Sequence, residues 1–340
     1  MTSAEHSTPR QHTLAVAALF FVNGATFSNW LPRIPEIRDA LGIDNRDLGV
    51  TLLGGGLGGI VGSLLVGRLA DKVGSLRLVL GAATLLSIGM PLVAYAPSSL
   101  VLLALLSLLG VLDVFNDVGM NTQGIIAQDR SHRPIMNRLH AMWSLGFTGG
   151  AAVGSAAAAF ELGLRWHLTI TGAVLLTTVL VVRRWLSPND PEPVPHEPGS
   201  AQAAEGAPPR RFNVLPLMVA LAAMGAIGLE VLPNDWAAVL MNDVFEAGRF
   251  SGLGTLACAG AMLVGRLGGD HVMMRIGERR LLRGAQALVA VGAVTTVVAP
   301  VTAVAILGLM VWGLGLSVFF PSLYAIAARL PGTSAGAGLG

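Results

Sequence analysis

The stretch "GRLADKVGSLRLVL" occupies residues 67–80, and a related stretch, "GRLGGDHVMMRIGERRLL", occupies residues 265–282. Each begins with a Gly-Arg-Leu triplet and then carries an Asp, a later Gly and a basic residue, and each follows a long apolar run. One copy lies in each half of the chain. The chain therefore contains an internal repeat, which indicates an architecture of two related halves.

The composition places this chain in a membrane. Hydrophobic residues make up 53% of its 340 residues and charged residues only 12%, a balance that a water-soluble domain could not carry without aggregating. The net charge of +2 and the scattered basic residues argue against a nucleic-acid surface. The single cysteine, Cys258, excludes an intrachain disulfide.

The apolar runs predict an all-α membrane protein. A bilayer core of about 30 Å needs about 20 apolar residues per helix, and that length predicts ten membrane segments. We place them at residues 13–32, 48–67, 76–95, 99–127, 138–160, 168–186, 213–240, 250–268, 282–300 and 302–329.

A stretch rich in Pro, Ala and Glu separates the sixth segment from the seventh and has the composition of a flexible linker. The predicted domains are an N-terminal six-helix bundle at 1–186, a linker at 187–212 and a C-terminal four-helix bundle at 213–340. Duplicated halves with a binding site between them are typical of secondary transporters.

Basic residues predict the orientation of the chain. Seventeen of the 22 Lys and Arg residues fall on the side that holds the N-terminus and the linker. Because basic loops stay in the cytoplasm, the N-terminus and the linker are expected to be cytoplasmic. We expect a multi-pass protein of a bacterial cytoplasmic membrane.

The first copy of the repeat resembles the cytoplasmic loop signature of the major facilitator superfamily. The residues that match this signature are Gly67, Leu69, Ala70, Asp71, Lys72 and Gly74. Within the superfamily, "NWLPRIPEIRDALG" (29–42), "DVGMNTQG" (117–124), "RPIMNRLHAMWSLG" (133–146) and "FFPSLYA" (319–325) resemble fucose-permease-like sugar transporters and their uncharacterised bacterial relatives.

This resemblance implies the major facilitator fold, with two bundles and twelve helices, so two helices would be missing after the tenth. The expectation is a truncated chain whose intact form transports; a genuine ten-helix product is the alternative. The resemblance also implies that the signature closes an inner gate. It assigns gating to Gly67, Asp71, Gly74, Arg77 and, in the second copy, Asp270.

The fourth segment contains polar residues in "GVLDVFNDVGMNTQG", residues 110–124. The residues Asp113, Asn116, Asp117, Met120 and Asn121 recur at helical spacing and so share one stripe. An ionised carboxylate facing lipid costs at least ~2.5 kcal/mol, so the stripe is expected to face a hydrated cavity. The alternative is a solvated overhang of a long helix.

The pair Asp117 and Asn121 is similar to an acid and an amide on helix 4 of fucose-permease-like proteins. That resemblance implies proton coupling and sugar binding. We assign proton coupling to Asp117 first and Asp113 second, and solute binding to Asn116 and Asn121.

On the fifth segment, His140 and Trp143 share a face, and a flat indole can stack on a sugar ring. A membrane-surface anchor is the alternative for both residues. On the seventh segment, Glu230 and Asn234 lie one turn apart beside the helix breaker Pro233. We assign Glu230 to proton coupling and Asn234 to solute binding, with an outer loop as the alternative.

The first segment carries Asn23 and Asn29 where fucose-permease-like proteins have an acid. We expect both amides to contact solute, and a facilitator without proton coupling remains an open alternative. The glycine-rich run Gly54–Gly59 formally matches a dinucleotide fingerprint, but it lies inside an apolar helix. We interpret it as a packing face that lets helices approach closely.

The sequence predicts a proton-coupled transporter of a small polar solute, a sugar or polyol. Its expected partners are the solute, protons and lipid, without nucleic acid, and the protein is expected to be a monomer. An enzyme is not predicted, since the chain lacks HExxH, GxSxG and CxxC motifs, and neither a cofactor nor a metal is expected. The alternatives are an efflux antiporter of amphipathic compounds and a non-transporting membrane sensor.

Overall fold

The computed structural model describes residues 8–133, 135–186 and 214–319, and the secondary structure in these ranges is helical. Eleven α-helices follow one another in them. They are α1 Pro9–Ser28, α2 Ile34–Leu41, α3 Asn45–Val73, α4 Ser75–Leu92, α5 Ser99–Ser131, α6 Met136–Ala159, α7 Leu164–Val182, α8 Val214–Asp243, α9 Leu253–Ile276, α10 Glu278–Val297 and α11 Thr302–Leu316.

Ten of these helices correspond to the ten predicted segments, and α2 is additional. Six described segments are long and apolar enough, by length and composition, to cross a membrane. These six are Pro9–Leu41, Asn45–Val73, Ser75–Tyr95, Ser99–Ser131, Leu164–Trp185 and Gly248–Gly269. The predicted linker, the end of the tenth segment and the stretch 320–325 lie outside the described residues.

Helix α2 was not among the predicted segments because its eight residues are too few to span a membrane. A 3₁₀ turn at Leu31–Arg33 leads into it, and prolines stand at the starts of both elements, where a missing backbone N–H costs little. The helix ends at Gly42, whose φ of 63° lies in the left-handed region that a glycine adopts without penalty.

Both copies of the sequence repeat adopt the same unusual turn. Gly74 joins α3 to α4 with φ 80° and ψ 157°, and Gly277 joins α9 to α10 with φ 82° and ψ 154°. Only glycine adopts such a backbone conformation readily. The repeat seen in the sequence is therefore present in the backbone, with one residue making the whole connection in each half.

The signature stretches themselves are helical, which differs from the loops expected from sequence. Residues 67–73 form the last two turns of α3, and residues 265–276 form the second half of α9. Neither stretch contains a proline, so the helices continue until they meet Gly74 and Gly277.

The prediction that Gly54–Gly59 is a packing face is confirmed. A side chain at Gly58 would overlap the backbone of Ser107 on α5, and a side chain at Gly110 would overlap the backbone of Gly55 on α3. Small residues on both helices thus allow α3 and α5 to pack backbone to backbone.

A second set of glycines brings α1 against α6. Added side chains at Gly146, Gly150 and Gly154 on α6 would collide with Phe21 and Ser28 on α1 and with Asn29 just after it. This close approach fixes the distance between polar residues on the two helices, because neither backbone can shift away without opening a gap.

The helices before residue 187 pack on one another, and α8–α11 pack on one another after residue 213; we call these groups the N-terminal and C-terminal bundles. Helix α6 meets α9 between them, where Ser155 Oγ donates to Gly252 O at 2.9 Å and Thr148 Oγ1 donates to Ala259 O at 3.2 Å. We name the end of the molecule that carries Arg38 the Arg38 end, and the opposite end the Arg77 end.

Candidate functional site

A chain of hydrogen bonds links α6, α1 and α5 within the N-terminal bundle. Trp143 Nε1 donates to Asn23 Oδ1 at 2.6 Å, and Asn23 Nδ2 donates to Asp113 Oδ1 at 2.8 Å. The Trp143 indole also stacks on Phe147, with ring centroids 5.3 Å apart. The glycine packing of α1 against α6 makes this possible, since it brings Asn23 within reach of Trp143.

Arg266 of α9 reaches across to the same indole from the C-terminal bundle. Its guanidinium carbon lies 5.3 Å from the Trp143 ring centroid, and its Nη1 donates to Ser144 Oγ at 3.0 Å. A cation over the face of an indole is a favourable arrangement. Arg266 is the fourteenth of 24 residues in α9, so it lies near mid-helix.

Glu230 of α8 is the acidic partner of Arg266. The distance from Arg266 Nη2 to Glu230 Oε1 is 3.5 Å, longer than a usual charge-assisted hydrogen bond. The other oxygen, Glu230 Oε2, is buried without a hydrogen-bond partner among the described residues. The side chains of Arg266 and Glu230 are 19% and 14% exposed, so the pair is largely shielded from water.

The polar stripe on α5 divides into an exposed part and a buried part. Asp117 is exposed, and Asn121 Nδ2 donates to its Oδ1 at 3.1 Å and to its backbone O at 2.9 Å. Asn116 is buried, and neither its Oδ1 nor its Nδ2 has a partner among the described residues. Met120 packs in the apolar core of the N-terminal bundle.

Both acids of the stripe lie well inside α5. Asp113 and Asp117 are the fifteenth and nineteenth of its 33 residues. At 1.5 Å per residue, about 21 Å of helix separates Asp117 from the C-terminal residue Ser131.

Other predicted solute contacts lie outside this cluster. Asn29 is buried toward the Arg38 end, where its Nδ2 donates to Ala25 O and its Oδ1 lies 3.3 Å from His167 Nε2. His140 is exposed and meets Phe20 edge to face at 5.3 Å. Each therefore has a structural partner of its own.

Asn234 lies one turn from Glu230 on α8, as predicted from the spacing. It is buried, and its Oδ1 lacks a partner among the described residues. Of the predicted gating residues, Gly67, Asp71 and Arg77 are exposed at the Arg77 end and Gly74 forms the turn already described. Asp270 belongs to α9, but its side chain lies outside the described part of the structure.

At the Arg38 end a polar latch joins the two bundles. Asp243 at the exposed end of α8 accepts hydrogen bonds from Arg38 of α2 and from Asn45 of α3, the latter at 3.0 Å. The hydrogen bond from Arg38 lowers the pKa of Asp243 to about 2. A second ion pair between the bundles joins Arg249 to Glu161 at 3.0 Å.

A cavity of about 340 Å³ lies between the bundles beside this latch. Its lining includes Pro32, Arg33, Glu36, Glu161, Asn242 and Arg249. Arg33 is almost fully buried there and forms a two-pronged ion pair with Glu36, at 2.6 and 2.7 Å. The bundles are thus held together at the Arg38 end.

Arg266 was not predicted as a site residue, because it is the Arg of the second Gly-Arg-Leu triplet and was counted among the cytoplasmic basic residues. The sequence did carry a signal: ten residues without a proline separate Arg266 from Gly277, so the helix can continue well past the arginine. Arg38 and Asp243 were not predicted either, since they lie 205 positions apart in the chain. No group of His, Cys, Asp and Glu residues suited to a metal ion occurs in the described ranges.

Comparisons with known proteins identify the family of this chain. The family model described as Major Facilitator Superfamily matches residues 16–340. An uncharacterised transporter of Sinorhizobium fredii is 27% identical, over 92% of this chain and 81% of that protein. Membrane protein MosC of Rhizobium meliloti is 28% identical, over 96% and 77% respectively. An uncharacterised MFS-type transporter of Yersinia pestis is also 28% identical, over 91% and 78%.

Solved structures share the fold at low sequence identity. The nucleoside transporter NupG superposes with a TM-score of 0.69 at 15% identity, covering 96% of this chain and 85% of that one. A bacterial homologue of the human lysosomal transporter Spinster, in an inward-facing and occupied conformation, gives 0.68 at 14%, covering 96% and 76%. With the family match over residues 16–340, the chain belongs to the major facilitator superfamily and is a multi-pass membrane transporter of that class.

Proposed function

We propose that this protein carries a small polar solute, a sugar or polyol, into the cell by alternating access, and that protons drive the uptake. The observation that carries the proposal is the meeting of two polar groups between the bundles. Asp113, Asn23 and Trp143 come from the N-terminal bundle, and Arg266 and Glu230 come from the C-terminal bundle. A solute held between them would contact both halves, so it would be sensitive to their relative movement.

Asp117 is the proposed proton-coupling carboxylate, and Asp113 and Glu230 are the further candidates. Asp117 is exposed, so water can deliver a proton to it, and its side-chain partner is Asn121 of its own helix. Protonation would weaken this hydrogen bond and free the amide for solute. Asp113 instead accepts a hydrogen bond from Asn23, which also bonds to Trp143 of α6. A change in the charge of Asp113 would therefore affect the contact between α1 and α6.

Neutral polar groups around these acids are the proposed solute contacts. Asn23, Asn116, Asn121 and Trp143 offer amide and indole groups on adjacent helices, and such groups bind hydroxyls. Asn116 has unpartnered amide atoms among the described residues, which supports such a role. Asn29 stays a proposed solute contact, and its amide group also bonds to Ala25 O and lies beside His167.

The proposed orientation places the N-terminus and the Arg77 end in the cytoplasm of a bacterium, because basic residues cluster there. In this orientation the latch closes the outer side of the protein. Gly67, Asp71, Gly74 and Arg77 would then act at the cytoplasmic gate, together with Asp270. We propose that the transporting unit is a monomer, since both bundles belong to one chain.

Uptake into vesicles containing the purified protein tests this proposal. An inwardly directed proton gradient should drive the accumulation of at least one labelled sugar or polyol from a panel. Asp117→Asn should abolish accumulation but retain exchange of solute across the membrane. The matched control is Asp129→Asn, which changes an exposed acid in the last turn of the same helix.

Two outcomes would contradict the proposal. Accumulation that stays dependent on the proton gradient in Asp117→Asn would reject the coupling role of this residue. Solute binding without any flux in the unsubstituted protein would instead indicate a non-transporting binding protein.

A further inference from the structure

We infer that Arg266 binds the carboxylate of an acidic solute and that Glu230 takes up one proton when this happens. The inference rests on the proposed transport function and narrows its substrate class to hydroxylated carboxylic acids, such as sugar acids. Among the described residues, Arg266 has few contacts for a shielded guanidinium group between two bundles.

Arg266 has hydrogen-bonding capacity to spare. A guanidinium group carries five N–H donors, whereas among the described residues Arg266 donates to one hydroxyl, Ser144 Oγ, and to one distant carboxylate oxygen of Glu230. The Trp143 ring beneath it holds the guanidinium plane in place. A planar, fixed and under-used guanidinium is suited to the two parallel hydrogen bonds of a carboxylate.

The ion pair between Arg266 and Glu230 is looser than the pair between the buried Arg33 and the exposed Glu36. Arg33 and Glu36 form two hydrogen bonds of 2.6 and 2.7 Å. Arg266 and Glu230 have a single contact of 3.5 Å, and the second Glu230 oxygen is buried without a partner among the described residues. Glu230 is therefore a counter-ion that a better-placed carboxylate can displace.

The surroundings favour a solute that carries hydroxyls as well as an acid. Ser144 touches the guanidinium group, and Trp143 connects it to Asn23 and Asp113 by hydrogen bonds. A solute whose carboxylate occupies Arg266 would thus place its remaining atoms beside side chains that bind hydroxyl groups.

The displacement conserves charge if Glu230 binds a proton. Before binding, Arg266 and the ionised Glu230 form a neutral pair. The incoming carboxylate takes the place of Glu230, and an ionised carboxylate left shielded without a partner is strongly unfavourable. Glu230 therefore takes one proton from water on an Oε atom. The site again carries no net charge, having gained one anion and one proton.

Other titratable groups lie near Arg266 and Glu230 and contribute to the pH response of this pair. His140 on α6 lies within electrostatic reach of Arg266, and Cys258 on α9 lies within reach of Glu230. Asp113 on α5 connects to the pair through Asn23 and Trp143. Asp235 belongs to the same helix as Glu230.

The test compares each acid with its own amide. Purified full-length protein is mixed with glucuronate or glucuronamide, galacturonate or galacturonamide, and gluconate or gluconamide, and the unfolding midpoint is measured. We expect at least one acid to raise the midpoint and its amide to have no effect. Protein and that acid are then mixed in weak buffer containing a pH indicator, which should report one proton taken up per acid bound.

Substitutions separate the two roles. Arg266→Gln should lower the affinity for the acid at least tenfold. Glu230→Gln should bind the acid at least as tightly as the unsubstituted protein but without proton uptake, and this variant tests the inference even if Arg266→Gln fails to fold. The matched control is Arg165→Gln, because Arg165 lies at the surface over Tyr95, outside the site.

The inference is overturned if no acid raises the midpoint, if amides act as strongly as acids, or if Glu230→Gln still takes up a proton on binding. These measurements need no transport. A protein that binds acids with proton uptake but moves no solute would contradict the proposed function alone, and one that moves neutral sugars but binds no acid would contradict this inference alone.

Discussion

Asn23 donates a hydrogen bond to Asp113 across 2.8 Å, and this bond ties α1 to α5 within the N-terminal bundle. The same amide accepts a hydrogen bond from Trp143 on α6 through its oxygen. The Asn23 side chain thus forms hydrogen bonds with a carboxylate and with an indole. Three helices that contribute to the proposed site depend on it for their mutual position.

Replacing Asn23 by Ala should therefore damage both stability and binding. It leaves two shielded polar groups without their partner, at a cost of about 1–3 kcal/mol each. We expect a lower unfolding midpoint in detergent and loss of solute binding. Thr13→Ala is the control on the same helix, because within the described part of the chain the Thr13 hydroxyl bonds to a carbonyl one turn back. An unchanged midpoint in Asn23→Ala would show that the hydrogen bonds contribute little.

The latch between Arg38 and Asp243 should favour the closed Arg38 end by a small amount. Exposed ion pairs contribute about 0.2–1 kcal/mol, so breaking this one should shift the closing equilibrium about 1.4- to 5-fold. The reporter is Ser155→Cys in a Cys258→Ala background, since Ser155 lies between the bundles. Labelling by a membrane-impermeant maleimide should accelerate in Arg38→Gln and in Asp243→Asn.

The double variant distinguishes the latch from two independent effects. If the residues act through each other, Arg38→Gln with Asp243→Asn should label no faster than the quicker single variant. Additive acceleration of labelling would indicate that the two residues act separately. High salt should screen the ion pair, so it should accelerate labelling in the protein that keeps Arg38 and Asp243.

The latch should not respond to pH in the physiological range. The hydrogen bond from Arg38 lowers the pKa of Asp243 from its ordinary 3.8 to about 2. A lowered pKa means that the stabilisation is present above the ordinary value and is lost as the pH falls through about 2. Between about pH 5 and pH 8, labelling of Ser155→Cys, corrected for thiolate content, should stay constant without solute. A strong change in the corrected labelling rate would show that another titrating group contributes to the latch.

Helix pattern and repeat could be predicted from the sequence because each depends on residues close together in the chain. The apolar runs predict ten segments, and the glycine run at 54–59 predicts close packing. The stripe that includes Asp113 and Asp117 follows from helical spacing alone. Spacing along the chain does not show which neighbouring helix each residue faces.

The partnerships of the site depend on such neighbours. Asn29, just past the end of α1, is the same type of residue as Asn23, yet its Oδ1 lies beside His167, 138 positions further along the chain. Arg266 was expected in a loop because its motif resembles a loop signature. Its position beside Trp143 instead depends on the packing of α6 against α9. Long-range packing of this kind leaves no local pattern in the sequence.

The packing of α3 on α5 should tolerate an alanine at some glycines of α3 and not at others. Gly58→Ala should destabilise the protein by about 1–3 kcal/mol, because the added methyl group overlaps the Ser107 backbone. Gly56→Ala is the matched control in the same run: a side chain there meets open space, and alanine favours a helix by about 1 kcal/mol. Unfolding midpoints in detergent measure both, and equal midpoints would contradict the packing described for Gly58.

The two glycine turns restrict how this protein can move. Gly74 and Gly277 each end one helix and start the next, with no slack between them. Because one residue makes each connection, the end of α3 stays close to the start of α4, and the end of α9 stays close to the start of α10. We therefore expect that neither helix of such a pair moves far at the Arg77 end without its partner.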